Sequence, residues 1–391
     1  MIKKFIFILA VLISAQSFSQ RSTSSPYSYF GVGEEFGTRT VEQISMGSIG
    51  AAYSSPSYLN FINPASLSEL RLATYVFGVL NNDLTISDAD VNQSTNSTSL
   101  SYFSIAFPLS KKMAVVFGMQ PTSSVGYSLI NTLNDDEGNF EEITQYVGSG
   151  DVNRIYGGFG LKLFKGFSVG LELDFLFGNI QNNVLNIRDE VTLATKNVED
   201  SNVRGGSIKL GAQYKTTLTK DINLHVGASF KLGNSLSSTG TENLYSLSLG
   251  ASGFEQPRDT IFSGPLTANL ERPLETILGL GLGKTNKWYA GINYKTQDAL
   301  VASGYFDNSA ESFQYGQSNR ISAGGFYIPK INSISSYWQR VTYRGGVKFE
   351  KLGLLVNGNP NSNAFTSIDD FGISSKKSTP AFLSAALTQH F

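Results

Sequence analysis

Several short segments carry the residue types of nucleotide, phosphate and calcium sites, but each departs from the spacing that its chemistry requires. The segment "GVGEEFG" at 31–37 is close to a dinucleotide fingerprint, yet its third glycine comes one position late and no strand–helix–strand unit surrounds it. The segment "GLGLGK" at 279–284 lacks the four residues that separate the glycines of a phosphate loop. The segment "DADVNQ" at 88–93 begins like a calcium loop, but Gln93 stands where glycine belongs. We therefore predict neither a cofactor nor a metal site.

Two histidines, His225 and His390, are the bases that a Ser-His-Asp triad would have to use. His225 falls on the polar face of a predicted strand, where a hydrogen-bonded structural role explains it without any chemistry. The acidic segment "NDDEGNFEE" at 134–142 could bind a divalent cation weakly at the surface, but a solvated charge run explains it better. The sequence therefore predicts a protein that is not an enzyme.

The start of the chain has the layout of a secretory signal. A basic pair, Lys3 and Lys4, precedes an apolar run at 5–13, so residues 1–19 are expected to be removed. The sequence contains no cysteine, which argues against a lipid anchor and against disulfide bonds. A net charge of −1 gives no electrostatic footprint for nucleic acid. Beyond the signal, no segment reaches the roughly 18 apolar residues that a membrane helix needs.

Long segments alternate between apolar and polar residues with a period of two, as half-exposed β-strands do. In 167–177 every odd-numbered position is Phe, Val or Leu, whereas the even-numbered positions include Glu172 and Asp174. The segment 221–232 repeats this pattern. Such strands are longer than is usual in soluble proteins and match the roughly 9–11 residues that cross a bilayer at a tilt.

The connections between the predicted strands also have a pattern. Tight turns are expected at 164–166 and 217–221, and long loops rich in Asn, Ser, Asp and Thr are expected at 178–203 and 233–272. Short turns at one end and long polar loops at the other are typical of a transmembrane β-barrel.

The alternative is a soluble β-sandwich or a lipocalin-like barrel, because periodicity alone does not say which face lies inside. Ionisable residues on the polar face of strand after strand favour a polar lumen, with the apolar face turned to lipid. These residues are Arg154, Lys162, Glu172, Asp174, Lys209, Lys231, Lys295, Arg344 and Lys348. On this assignment we expect Leu171→Arg to destabilise the barrel and Glu172→Gln to have little effect.

We therefore predict an all-β fold: an antiparallel transmembrane β-barrel of about 14 strands over residues 71–391, in the outer membrane of a Gram-negative bacterium. Eleven strands are clear from the pattern, at 71–80, 98–107, 111–120, 151–164, 167–178, 203–215, 221–232, 273–284, 286–296, 317–328 and 339–350. The C-terminal segment must supply the rest. It ends on Phe391, the aromatic residue expected at the end of a last strand, although 375–380 is not strand-like.

Residues 20–70 differ from the rest of the chain because they show no sustained alternation. Their many small and aromatic side chains make them too apolar for a free tail. We expect this segment to fold into the lumen as a hatch.

The chain resembles the FadL-type outer-membrane transport family. The resemblance rests on Asn63, Pro64 and Ala65 in "FINPASL", on the preceding "MGSIGAAY", and on the order of signal, hatch and barrel. The segment "SPYSYFGVGE" and the stretch at 327–358 look like the Bacteroidota branch of that family. The resemblance implies a hatch that fills the lumen, with hydrophobic compounds such as long-chain fatty acids bound between hatch and wall.

Two functions remain open. The first is passage of hydrophobic small molecules through a pocket lined by Tyr29, Phe30, Phe36, Met46 and Tyr53, although plain packing of the hatch would explain the same side chains. The second is a non-transporting partner barrel of a type 9 secretion or barrel-assembly machine, since PorV-like barrels similar to the family serve as such partners. The expected partners are outer-membrane lipid and either a hydrophobic ligand or other outer-membrane proteins, which the long loops would contact.

Overall fold

The computed structural model describes residues 25–87, 92–135, 137–189, 191–250, 253–307, 313–351 and 353–356. The predicted signal at 1–19, most of the calcium-like segment, His390 and the expected last strands after 356 lie outside the described residues. The division of the chain into signal, hatch and barrel therefore stays a prediction.

Residues 25–70, which we call the N-terminal segment, have little regular structure. They form 3₁₀ turns at Pro26–Tyr29 and Pro64–Glu69, a two-residue strand β1 (Glu34–Glu35) and one short helix α1 (Val41–Ile44). A capping box begins α1: the Thr40 hydroxyl accepts from the Gln43 backbone N–H, and the Gln43 side chain accepts from the Thr40 N–H. No helix in the described part of the chain is long and apolar enough to span a membrane.

The remaining described residues are almost entirely β-strand. The strands are β2 (Thr74–Ser87), β3 (Asn92–Ser110), β4 (Met113–Asn134), β5 (Phe140–Phe164), β6 (Phe167–Arg188), β7 (Ala194–Thr217), β8 (Asn223–Lys231), β9 (Asn234–Leu249), β10 (Glu255–Arg272), β11 (Glu275–Lys284), β12 (Trp288–Gln297), β13 (Val301–Gly304), β14 (Phe313–Tyr315), β15 (Ser318–Tyr327), β16 (Tyr343–Lys351) and β17 (Leu354–Val356). Fifteen strands form one sheet, and β14 pairs with β17 separately. The predicted all-β, antiparallel class is confirmed.

Neighbouring strands of the main sheet mostly follow chain order. The order is β2, β3, β4, β5, β6, β7, β8, β11, β12, β15 and β16, and every pairing between them is antiparallel. All eleven strands expected from the alternation are present among them. Their ends differ from the prediction because the strands from β2 to β7 continue far into residues that are polar on both faces.

Burial decides which face of the sheet is inside. Along β6, Glu172 and Asp174 are only 3% and 6% exposed, whereas Leu173 and Phe175 are 53% and 56% exposed. The apolar face therefore points outward and the polar face inward, as expected for a barrel in lipid. A soluble sandwich would show the opposite arrangement, so that alternative is wrong.

Two segments expected to be loops are instead largely strands. Most of 178–203 belongs to β6 and β7, and most of 233–272 forms the β9–β10 hairpin. Asn, Ser and Thr are frequent in both segments, and strand propensity is low for some of these residues. Cross-strand pairing with β5 and β7 overrides that weak preference.

Strand β7 has two different neighbours along its length, and they divide this side of the wall into two tiers. Lys209–Thr217 of β7 pairs with β8, whereas Ala194–Gly205 pairs with β9. We call β8, β11, β12, β15 and β16 the lower tier, which ends in the tight turns, and β9, β10 and β13 the upper tier. The chain passes between the tiers at 232–233, at 273–274 and at 298–300, and it returns from β13 in the upper tier to β15 in the lower tier. The wall is thus interrupted at the level of these connections.

Candidate functional site

The side chain of Asn63 attaches the N-terminal segment to the inner face of the sheet. Its amide nitrogen donates to the carbonyl oxygen of Ala51 at 2.7 Å and to those of Ala212 and Ala228 at 3.1 Å each. Its amide oxygen accepts from the backbone N–H of Ala65 at 3.0 Å, which caps the following 3₁₀ turn. Asn63 is fully buried. One side chain thus holds together the N-terminal segment, β7 and β8.

Two glycines of the wall allow this close approach. A Cβ at Gly170 of β6 would overlap the backbone of Pro64, and a Cβ at Gly211 of β7 would overlap the side chain of Asn63. Only glycine leaves room for another backbone at such positions. The Asn-Pro-Ala element that carried the family resemblance therefore lies directly on the sheet.

Farther along the inner face, five side chains of β4 to β7 form a buried network. Arg154 donates to Glu172 Oε1 and Asp174 Oδ1, at 2.9 Å each, and to Gln120 Oε1 at 2.5 Å. Lys209 donates to the same Glu172 oxygen at 2.6 Å. Each of these side chains is less than a tenth exposed, so every charge has its counter-charge within the protein.

Beside this network lies a cavity of about 90 Å³, enclosed by the N-terminal segment and the inner face. We call it the cationic cavity, because seven basic side chains and only two acidic ones line it. The basic residues are Arg39, Arg154, Lys209, Lys231, Arg272, Lys295 and Arg320, and the acidic residues are Glu35 and Glu275. A hydrophobic molecule would have to desolvate these charges without replacing their hydrogen bonds.

The side chains predicted to line a ligand pocket lie in three separate places: Tyr29 with Phe30, Met46 with Tyr53, and Phe36. The rings of Tyr29 and Phe30 meet edge to face at 5.3 Å, beside the core under the upper tier. Phe36 borders the cationic cavity, and its backbone N–H donates to the carbonyl of Thr122. The structure thus brings two pairs of these side chains together and places Phe36 apart from both. The five side chains do not surround one common pocket.

Met46 and Tyr53 pack against Tyr289 of β12 in the lower tier. Tyr53 also borders a second cavity of about 140 Å³ near the tight turns, where the guanidinium of Arg344 lies 5.4 Å from the centre of the Tyr58 ring. Burial raises the pKa of the Tyr53 hydroxyl to about 12, so this group stays neutral at physiological pH. His225 meets Tyr289 edge to face at 5.4 Å, which is a packing contact.

Part of the cationic cavity could be predicted and part could not. Alternation placed Arg154, Lys209, Lys231 and Lys295 on the inner face. The inward position of Arg272 could not be predicted, because this residue ends the segment 233–272, for which the sequence predicts a polar loop. Arg39 lies near these residues because of the path that the N-terminal segment takes. The sequence has no periodic pattern there from which this path could be predicted.

The β9–β10 hairpin extends the wall from β7, with which β9 pairs along Leu236–Leu247. Residues 256–263 of β10 are exposed on both faces, and Ile261 and Phe262 are 57% and 49% exposed. Among the described residues, β10 pairs along Glu255–Thr267 with β9 alone, so its other edge is open there. The outer strand β10 is therefore exposed on both faces along 256–263, with a free edge and two exposed apolar side chains, Ile261 and Phe262.

Comparisons with known proteins agree with this architecture. The family model described as BamG matches residues 1–384. A FadL homologue from Pseudomonas aeruginosa is similar in structure, with a TM-score of 0.55 and 12% identity over 83% of each chain. The toluene transporter TodX of Pseudomonas putida has a TM-score of 0.51 and 17% identity, over 84% of this chain and 86% of TodX. The CymD monoaromatic hydrocarbon channel has a TM-score of 0.50 and 16% identity, over 80% and 83%. No curated protein matches the sequence. At these identities the structural likeness shows the fold, which is that of FadL-type outer-membrane channels.

Proposed function

Because the chain belongs to the BamG family, we propose that it is a non-transporting partner barrel of the outer-membrane barrel-assembly machinery. The match to the family over residues 1–384 carries this proposal. The protein would work as a structural subunit in the outer membrane of a Gram-negative bacterium, without catalysis. Its tight turns would face the periplasm and its upper tier would face the exterior, as is usual for such barrels.

The interior of the barrel supports a structural role better than a transport role. Asn63, which we call a clamp because it holds the N-terminal segment to β7 and β8, is fully buried. The buried network of Arg154 crosses the inner face beside it. Moving the N-terminal segment aside would break the hydrogen bonds of Asn63 to two strands of the wall. Breaking buried hydrogen bonds in this way is costly.

The β9–β10 hairpin supports the same proposal from the outside. Residues 256–263 of β10 are exposed on both faces and pair with one strand only, so few contacts within the protein hold this part of the hairpin in place. An open edge with exposed apolar side chains is also a template for pairing with another chain. We infer that another subunit of the machinery covers this hairpin and thereby removes both liabilities.

The proposal is tested by purifying the protein from its own membrane with a tag on the native chain. After extraction in a mild detergent, native electrophoresis should show a large complex, and mass spectrometry should identify the barrel-assembly subunits in it. An unrelated outer-membrane barrel with the same tag serves as the control. A lone barrel that carries stoichiometric hydrophobic ligand would contradict the proposal and favour transport.

Depletion of the protein gives a second, independent test. A partner of the assembly machinery should be needed for normal amounts of folded outer-membrane proteins, so these should fall after depletion while their precursors accumulate. Unchanged folded barrels, together with lost uptake of a hydrophobic compound, would overturn the proposal.

A further inference from the structure

We propose that the cationic cavity is a binding site for a phosphate group, carried either by free phosphate or by a phosphorylated lipid headgroup. The site lies inside the barrel, at the level where the wall passes from the lower tier to the upper tier. Asn234 and Arg272, which flank two of the connections between the tiers, both line it. The inference is independent of the barrel-assembly role.

The first observation is a set of buried hydrogen-bond donors on three residues that line the cavity. The Nε atoms of Arg272 and Arg320 and the Nδ2 atom of Asn234 are buried and have no hydrogen-bond partner within the described residues. The side chains of Arg272 and Arg320 are only 9% and 4% exposed. All three atoms are donors, so the group that satisfies them must be an acceptor.

The second observation is the balance of charge. Five carboxylates pair with the basic residues of the cavity: Glu35 with Arg272, Glu172 with Arg154 and Lys209, Asp174 with Arg154, Glu275 with Lys295, and Glu350 with Arg320. Arg39 and Lys231 have no carboxylate within ion-pair distance in the part of the chain that the structure describes. Two positive charges are therefore left over, which is close to the charge of a phosphate group at neutral pH.

Geometry favours phosphate over a carboxylate or a hydrophobic ligand. The basic side chains come from the N-terminal segment, β5, β7, β8, β10, β12 and β15, and thus approach the cavity from several sides. A tetrahedral oxyanion offers acceptors in all these directions, whereas a carboxylate offers them on one side only. A volume of about 90 Å³ accommodates a phosphate group but not an acyl chain. A phosphorylated lipid would therefore place its headgroup alone in the cavity.

The test uses the full mature chain, purified in a maltoside detergent that contains no phosphorus. Inorganic phosphate is titrated calorimetrically into the wild-type protein and into Arg320→Gln, Lys231→Gln and Arg258→Gln. Arg258 is the matched control because it lies on the exposed part of β10, where it donates to Ser248 and Gln256. Heat-modifiable electrophoretic mobility checks that each variant is folded.

We expect saturable phosphate binding that weakens at least tenfold in Arg320→Gln and in Lys231→Gln and is unchanged in Arg258→Gln. If Arg320→Gln does not fold, Lys231→Gln decides, because its side chain makes no hydrogen bond within the described residues and is only partly buried. Organic extraction of the wild-type protein, followed by phosphorus and lipid analysis, distinguishes the two sources of the group. A stoichiometric phospholipid that is lost in Lys231→Gln identifies a headgroup, whereas binding of added phosphate without retained lipid identifies the free ion. A wild-type protein that neither binds phosphate nor retains phosphorus, or variants that bind as tightly as the wild type, would overturn the proposal.

Discussion

The side-chain nitrogen of Asn63 lies 3.1 Å from the carbonyl oxygen of Ala212, which is 149 residues farther along the chain. The same nitrogen reaches Ala228 on the neighbouring strand β8 and Ala51 within the N-terminal segment. This one amide therefore links three parts of the chain that the sequence keeps far apart.

We predict that Asn63→Ala lowers the free energy of unfolding by about 2–4 kcal/mol, because it removes these hydrogen bonds and leaves the buried N–H of Ala65 without its acceptor. Urea titration of the folded band in heat-modifiable electrophoresis measures this change. Asn81→Ala, at an exposed hydrogen bond to Thr98, is the control and should change stability little. Equal effects of the two substitutions would show that Asn63 is not a clamp.

The close contact between Gly170 and Pro64 gives a second prediction. Gly170→Ala should destabilise the protein by about 1–3 kcal/mol, since the new methyl group overlaps the backbone of Pro64 and forces the N-terminal segment away from β6. Gly206→Ala is the matched control: the atom nearest to its Cβ would be the Asp174 carbonyl oxygen at 3.6 Å, an ordinary contact. Limited proteolysis of the N-terminal segment should accelerate in the first variant and not in the second.

The orientation of the two faces of β6 is tested by Leu173→Arg. Leu173 is 53% exposed on the apolar face, where an arginine in the middle of the bilayer costs about 2–4 kcal/mol. Leu173→Ala should cost much less, because it adds no charge to the lipid. Refolding into lipid vesicles over a urea series separates the two. If the variants were equally stable, the outward assignment of this face would have to be abandoned.

Glu172→Gln should destabilise the protein strongly, in contrast to the small effect that alternation alone predicts. A glutamate in a wet lumen would be solvated, but Glu172 accepts from both Arg154 and Lys209 and is 3% exposed. Removing one member of a buried ion network costs about 3–5 kcal/mol, since the remaining charges are left uncompensated. The exposed Glu137→Gln provides the control in the same urea experiment, and a loss no larger than that of this control would refute the network's structural role.

Much of the fold could be predicted from the sequence, because period-two alternation records which face of a strand contacts lipid. Phe167 to Phe177 is an example in which every second residue is apolar and turned outward. Alternation gives no strand signal where polar residues lie on both faces. The sequence therefore does not predict the upper parts of β6 and β7 or the β9–β10 hairpin as strands. The sequence predicts only some of the basic residues that line the cationic cavity. The alternation identifies Arg154, Lys209, Lys231 and Lys295, but it does not identify Arg39, Arg272 or Arg320.

The last prediction concerns the β9–β10 hairpin, where Ile261 and Phe262 are exposed on β10 next to an open strand edge. If another subunit covers this surface, the double substitution Ile261→Asp and Phe262→Asp should reduce its recovery in a pull-down at least tenfold. Two carboxylates would then be buried without partners at the interface. The barrel itself should remain folded, because neither side chain contributes to its core. Ile130→Asp, at a similarly exposed apolar position on β4, is the control and should leave the recovery unchanged. Undiminished recovery with the double variant would mean that the partner binds elsewhere on the barrel, and the hairpin would lose its assigned role.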